Sequence, residues 1–331
     1  MVMALLSSCV TARTGKDSPE RPSWAIAIHA GAGVIGKDSP VEEVEAAQAG
    51  LREALELGRG MLASGASGLD TVEAVIMVLE DNPRFNAGKG AVFTADGTHE
   101  LDASIMDGAT LGCGGVTGVS TVKNPIRLAR RVMENTRHVL LAAGGAEAFA
   151  DTQADIERVP TEYFDTEHRA KSLESWRQRQ ASVEPDRLLT PDEANQWKST
   201  VGCVVLDMAG NLTAGTSTGG MTGKRFGRIG DSPLIGAGTY ANNDTCAVSC
   251  TGTGEEYIRH NVARDIADRM RYGKVGAEEA TRAVIFDVLQ PDDGGVIVVD
   301  KHGGIVMLFS TEGMFRGAAD ANGRFDIAIW E

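Results

Sequence analysis

Aromatic side chains make up only 5% of this 331-residue chain, cysteines number five, and basic residues are outnumbered, with 32 Lys and Arg against 46 Asp and Glu. Each shortage excludes something. No apolar run approaches the roughly 20 residues that a membrane-crossing helix needs, so no membrane span is expected. Cys9, Cys113, Cys203, Cys246 and Cys250 are too few and too scattered for a disulfide framework, and the close pair Cys246 and Cys250 lacks other zinc ligands beside it. They read as reduced or structural cysteines. A net charge of −14 opposes binding to nucleic acid or anionic lipid, because polyanions select clustered positive charge. What remains, 42% hydrophobic and 24% charged residues, is the balance of a globular protein whose chemistry concerns small molecules.

Residues 1–23 read as a leader, either disordered or the remnant of a signal. Leu6-Ser-Ser-Cys9 has the form of a lipoprotein cleavage box, but the apolar segment before it is short and no basic region precedes it. The cytoplasm is therefore the expected location, and a periplasmic lipoprotein anchored at Cys9 is the alternative. Residues 24–331 read as one domain. Trp24 to His29 is a strand ending in the turn GAGVIG, and Ser39-Pro40 with Glu42 forms a capping box. That box opens a helix with Val41, Val44, Ala47, Leu51 and Leu55 at helical spacing. A second helix is expected over Asp70–Glu80, loop and hairpin over residues 81–108, and a third helix from Asn124-Pro125. Residues from about 165 to 199 carry few side chains that could anchor in a core and read as a mobile linker. Beyond it, Val201–Leu206 and Leu212–Thr218 form a hairpin, as do Val296–Val299 and Ile305–Phe309, with helices at Glu256–Tyr272 and Glu278–Leu289 between them. Strands, then helices, then strands imply an α+β class of stacked sheets flanked by helices.

At the seam between linker and hairpin stands KSTVGCVVLD, with Thr200 first in the strand. Folding the hairpin about residue 209 sets Thr200 opposite Thr218, so the two hydroxyls could be neighbours. A threonine hydroxyl needs a base to act as a nucleophile, and an N-terminal threonine carries one in its own α-amine, whose pKa of about 7.7–8.0 suits neutral pH. Cutting Ser199–Thr200 would expose that amine. Spacing alone favours the plainer reading, a β-branched strand residue facing a strand-end partner.

Four longer stretches carry more. TVGCVVLD from Thr200, TSTGGMTGKRFGRIGDSPLIGAGTYANN (216–243), CTGTGEEYIR (250–259) and FNAGKGAVFTADGTHELDASIMDG (85–108) resemble the plant-type asparaginase and isoaspartyl peptidase family. The resemblance extends from about Trp24 to the C-terminus. It implies an αββα four-layer sandwich of the N-terminal-nucleophile hydrolase type, self-cleavage into an α subunit ending at Ser199 and a β subunit of Thr200–331, and an (αβ)₂ assembly. It implies Thr200 as nucleophile, Thr218 as its hydrogen-bonding partner, and Arg228 and Asp231 as holders of the substrate α-carboxylate and α-ammonium. Thr251 and Gly252 would form the oxyanion hole, Gly254 would line the substrate site, and Asn86 would support the oxyanion region. Backbone carbonyls of Leu79, Glu80, Asn82, Phe85, Ala87 and Lys89 would hold a structural sodium ion, and catalysis would need no cofactor. Thr253 stands where glycosylasparaginases carry aspartate, which favours L-asparagine and β-aspartyl peptides as substrates. A glycosylasparaginase and an uncleaved, inactive amino-acid binder are the alternatives. The sequence departs from the family at Ser199, usually Gly or Asp, at Ala30, usually Gly, and at Ser310, usually Asn; the first leaves the cleavage rate open.

Other motifs fare poorly. Gly31, Gly33 and Gly36 match a dinucleotide-binding fingerprint, but the helix begins too late and no acid-ended second strand follows. GTGEE would repel a phosphate, and His99-Glu100 lacks the second histidine of a zinc protease.

Overall fold

The computed structural model describes residues 21–33, 36–181 and 199–331. The leader up to residue 20, including Cys9, and residues 182–198 of the expected linker lie outside the described residues.

Twelve strands are described: β1 (Ala25–Ala32), β2 (Leu101–Asp107), β3 (Cys113–Val119), β4 (Leu140–Ala142), β5 (Val201–Leu206), β6 (Leu212–Thr218), β7 (Thr239–Ala241), β8 (Cys246–Gly252), β9 (Gly294–Asp300), β10 (Ile305–Phe309), β11 (Met314–Asp320) and β12 (Phe325–Ala328). They form an eight-stranded sheet in the order β12-β11-β1-β5-β6-β2-β3-β4 and a four-stranded sheet in the order β10-β9-β8-β7. All pairings are antiparallel except β3 with β4. β1, β5 and β6 are buried at every position, which follows from cover on both faces of the sheet.

Helices α1 (Val41–Ala63), α2 (Gly68–Asp81) and α3 (Pro125–Asn135) pack on the outer face of the large sheet, where Ile26, Ile28, Leu51, Leu55, Val72, Ile76 and Val205 share one core. The second core joins the two sheets and continues to helices over the small sheet, combining Ala25, Ala27, Val204 and Leu212 with Val248, Val298, Val262 and Ile266. Helix on sheet on sheet on helix is the αββα sandwich expected from the motifs.

Several local expectations change. Helix α1 starts at Val41 with no side-chain cap, so Ser39 and Glu42 make no capping box, and Val41 is exposed. Helix α2 begins earlier, because the Ser67 hydroxyl accepts the Asp70 N–H. After α4 (Ala143–Ala150), part of the segment read as a mobile linker is α5 (Glu167–Ala181). Its anchors are Leu173 and Trp176, packed with Phe93, and the buried Arg169, which donates to the carbonyls of Gly90 (2.7 Å) and Arg84 (3.2 Å). The single helix expected over Glu256–Tyr272 is broken at Asn261 (φ 49°) into α6 (Gly254–His260) and α7 (Val262–Tyr272). Finally α8 (Ala277–Ala283) runs into a π-helical turn over Val284–Val288.

Candidate active site

Hairpin β5–β6 pairs Val201 with Ser217, so Thr200 and Thr218 continue the same register. Thr200 Oγ1 lies 3.2 Å from Thr218 Oγ1, as donor. Thr218 Oγ1 accepts the Gly220 N–H at 3.0 Å and donates to the Ser199 carbonyl at 3.2 Å. That carbonyl also accepts Asn86 Nδ2 at 2.7 Å, and the same amide donates to Gly220 O at 2.7 Å while its Oδ1 accepts the Val92 N–H at 3.0 Å. Asn86 therefore grips the carbonyl of the bond before Thr200. The Ser199 hydroxyl donates to Ala30 O at 2.9 Å, so two departures from the family pattern are in direct contact.

Ser199, Thr200, Thr218, Arg228, Asp231 and Gly252 line one cleft with room for about 10 Å³, barely that of a water. The sequence motifs are thus brought together from β5, β6, β8 and the loop after β6. Arg228 does not reach into this cleft unpartnered: its Nε and Nη2 each donate to Glu255 at 2.9 Å, a two-point pair at the start of α6. Burial opposes the Arg228 charge, but Glu255 outweighs it and holds the guanidinium above its ordinary range. Gly254 fits between Arg228 and Asp231, since a Cβ there would lie 2.8 Å from Arg228 Nη2 and 3.1 Å from Asp231 Oδ1. The Thr251 hydroxyl, at the end of β8, is buried and has no hydrogen-bond partner among the described residues. An idle buried donor beside Gly252 suits charge that develops only during reaction. Cys203, Cys246 and Cys250 are no rival nucleophiles, because burial pushes the Cys246 thiol up to about 12 and the other two are equally enclosed.

With this geometry established, known sequences give the family. The asparaginase family model matches residues 22–329. An isoaspartyl peptidase of Escherichia coli K12 is 48% identical over 295 residues, covering 88% of this chain and 91% of the relative. A plant-type L-asparaginase of Pyrococcus furiosus is 43% identical over 306 residues, covering 88% and 94%. An isoaspartyl peptidase/L-asparaginase of Danio rerio is 40% identical over 296 residues, covering 89% and 91%. This chain belongs to the asparaginase family.

In this asparaginase-family chain the loop after α2 bears on the expected ion. Carbonyls of Leu79, Asn82, Phe85 and Ala87 each accept one backbone N–H from within the loop, at 3.4, 3.3, 3.0 and 3.2 Å, and each keeps a second lone pair. A Cβ at Gly88 would fall 2.5 Å from Glu80 O, and one at Gly90 2.1 Å from Phe85 O, so the loop closes on its own carbonyls. Uncharged hard oxygens of this kind fit a hard monovalent cation. Among the described residues no cluster of His, Cys, Asp and Glu could hold a metal. The Glu80 side chain belongs to the protein core: Oε1 accepts Ser217 Oγ at 2.6 Å and Ile126 N at 3.1 Å, and burial pushes its carboxyl up to about 8.

Sequence reasoning missed three groups around this candidate site. In the sequence Glu255 reads only as an acid that repels phosphate. His29, at the end of the first strand, places Nδ1 3.0 Å from Thr200 O. Lys224, buried, donates to Glu100 O at 2.9 Å and stands 3.9 Å from Asp102, whose backbone pairs with Thr218. Charged residues at the edges of GMTGK and ELDAS were the available signal.

Proposed function

We propose that the chain cleaves itself between Ser199 and Thr200 and that Thr200 then hydrolyses β-aspartyl dipeptides and L-asparagine through an acyl-enzyme. One observation carries this reading: the Thr200 hydroxyl, the Thr218 hydroxyl, the Ser199 carbonyl and the Asn86 amide form one connected array. Attack of Thr200 Oγ1 on the Ser199 carbonyl carbon releases a proton. Thr218 takes it and passes its own to the carbonyl oxygen, which Asn86 also steadies. Collapse of the tetrahedral carbon breaks the C–N bond, the Thr200 nitrogen regains that proton as an amine, and Ser199 is left as an ester that water hydrolyses. The freed amine then serves as base for the same hydroxyl.

In the second reaction Thr200 Oγ1 attacks the side-chain carbonyl of an aspartyl unit. Thr251 and Gly252 stabilise the oxyanion, ammonia or an amine leaves, and water releases aspartate. Arg228 keeps its Nη1 edge for the substrate α-carboxylate while Glu255 occupies the opposite one, and Asp231 receives the α-ammonium. Relatives named isoaspartyl peptidase and L-asparaginase support this substrate class. The small cleft volume fits an uncut chain in which Ser199 still occupies the substrate's place.

Three further points belong to the same reading. The assembly is (αβ)₂, which the mass of the native protein tests. The carbonyl loop at Leu79–Lys89 holds sodium and keeps Asn86 in place; dialysis against a large organic cation should lower the melting temperature. The location is the cytoplasm, in keeping with scattered free thiols; no described helix is long and apolar enough to cross a membrane. Labelling with radioactive palmitate at Cys9 would reverse that location.

Denaturing electrophoresis and fragment masses test the core claim. Two fragments are expected, the smaller beginning at Thr200, and Thr200→Ala should leave one chain without activity. A parallel assay of L-asparagine, a β-aspartyl dipeptide and a glycosylated asparagine fixes the substrate. Turnover of the last alone would make it a glycosylasparaginase, and an intact chain that only binds amino acids would end the enzyme reading.

A further inference from the structure

Behind Thr200 a row of residues crosses four neighbouring strands of the large sheet. His29 on β1 pairs with Gly202 on β5, Gly202 with Thr216 on β6, and Thr216 with Ser104 on β2. Ser249 and Thr239, opposed on β8 and β7, meet the row from the small sheet. All are buried. Gly202 is what lets the layers touch, for a Cβ there would lie 2.0 Å from Ser249 Oγ and 2.3 Å from His29 Nε2. Across that gap His29 Nε2 stands 2.9 Å from Ser249 Oγ, Ser249 Oγ 2.7 Å from Thr216 Oγ1, and Thr216 Oγ1 2.6 Å from Thr239 Oγ1.

Counting protons gives this chain one direction. The Thr200 carbonyl has no proton to donate, so the ring nitrogen facing it, Nδ1, must carry one. Nε2 of a neutral ring is then an acceptor and takes the Ser249 proton; Ser249 in turn accepts from Thr216, and Thr216 from Thr239. Burial pushes the His29 ring down to about 3, so it stays neutral at working pH. The opposite tautomer would set two lone pairs against each other at 3.0 Å.

We infer that His29 is a positioning residue for Thr200: its Nδ1–H holds the Thr200 carbonyl, and the buried hydroxyls of Ser249, Thr216 and Thr239 hold the ring through Nε2 in the orientation that makes this bond. The inference rests on Thr200 being the nucleophile. Once residue 199 is cut away, Thr200 has no preceding peptide bond to hold it, and its carbonyl is the main-chain group that still sets the angle between amine and hydroxyl. Small losses of such alignment cost rate rather than substrate affinity.

The test uses the full-length protein with His29→Phe, His29→Asn and Ser249→Ala, measuring cleavage, melting temperature, and kcat and KM per cleaved chain on a β-aspartyl dipeptide. His29→Phe should lower kcat about 10- to 100-fold with KM within about twofold of the parent. His29→Asn, whose Nδ2 replaces Nδ1, should recover to within about fivefold, and Ser249→Ala should fall between. Nitrogen NMR of ¹⁵N-histidine-labelled parent should show a neutral ring protonated at Nδ1. Parental kcat in His29→Phe, a loss borne by KM, equal losses in Phe and Asn, or a ring protonated at Nε2 would each overturn it. Should His29→Phe fail to fold, parental kcat in Ser249→Ala or an Nε2-protonated parent ring decides against it. Activity in Thr200→Ala would instead remove the nucleophile, and the histidine spectrum would still be read by itself.

Discussion

Glu255 sits inside the same motif as Thr251 and Gly252, yet its carboxylate holds Arg228 through Nε and Nη2. Replacing it by glutamine keeps the shape and removes the charge, so Glu255→Gln should raise KM about 3- to 10-fold with kcat near the parent, the mark of weakened ground-state binding. A fall in kcat at constant KM would refute this role. In the proposed mechanism Asn86 belongs to a different step. Asn86→Leu leaves the Ser199 carbonyl with only the Thr218 hydroxyl, and self-cleavage, followed by electrophoresis over time, should slow by about 10²- to 10³-fold. The sequence makes Thr200 and Thr218 legible because antiparallel register is arithmetic about a turn. It hides Glu255 because the partner of a surface-type acid is set by loop geometry, here across 27 residues. His29 is hidden for a similar reason: its hydrogen bonds reach 171 and 220 residues away.

Elements with their own periodicity and turn chemistry were readable. The two hairpins and the start of α3 follow from alternation, Gly-Asn and Gly-Gly turns and Asn-Pro, and the β5–β6 strand limits agree with those expected. Helix α5 was not, because polar composition is a poor guide where three residues carry the anchoring. Leu173, Trp176 and Arg169 tie it to Phe93 and to loop carbonyls near Asn86, and no pattern in EHRAKSLESWRQRQA announces that contact. Trp176→Ala should therefore cost about 2–4 kcal/mol, measured by urea unfolding, since the ring also packs against Gly223. An unchanged midpoint would show that α5 contributes nothing. The break at Asn261 was equally hidden, because a left-handed residue inside a helical pattern leaves no trace in hydrophobic spacing.

For the molecule as a whole, two buried groups oppose each other in pH. His29 is held at about 3 against an ordinary 6.5, so its contribution is intact above pH 6.5 and is lost as pH falls toward 3. Glu80 is raised to about 8 against 4.5, so its contribution is intact below pH 4.5 and lost as pH rises toward 8. Between pH 5 and 6.5 the slopes nearly cancel. His29→Asn removes one of them, so relative to the parent it should gain about 2 kcal/mol between pH 6.5 and pH 5 in urea melts. A constant difference across that window would contradict the burial-driven shift. The order β12-β11-β1-β5-β6-β2-β3-β4 has a last consequence for a chain cut after Ser199. Strand β1, from the first fragment, is wedged between β11 and β5 of the second, and β6 of the second lies against β2 of the first. The two pieces would stay interlocked like alternate slats and could not drift apart without tearing the sheet. Once melted, though, they would have to find each other by collision, so a heated and cooled sample should recover less the more it is diluted.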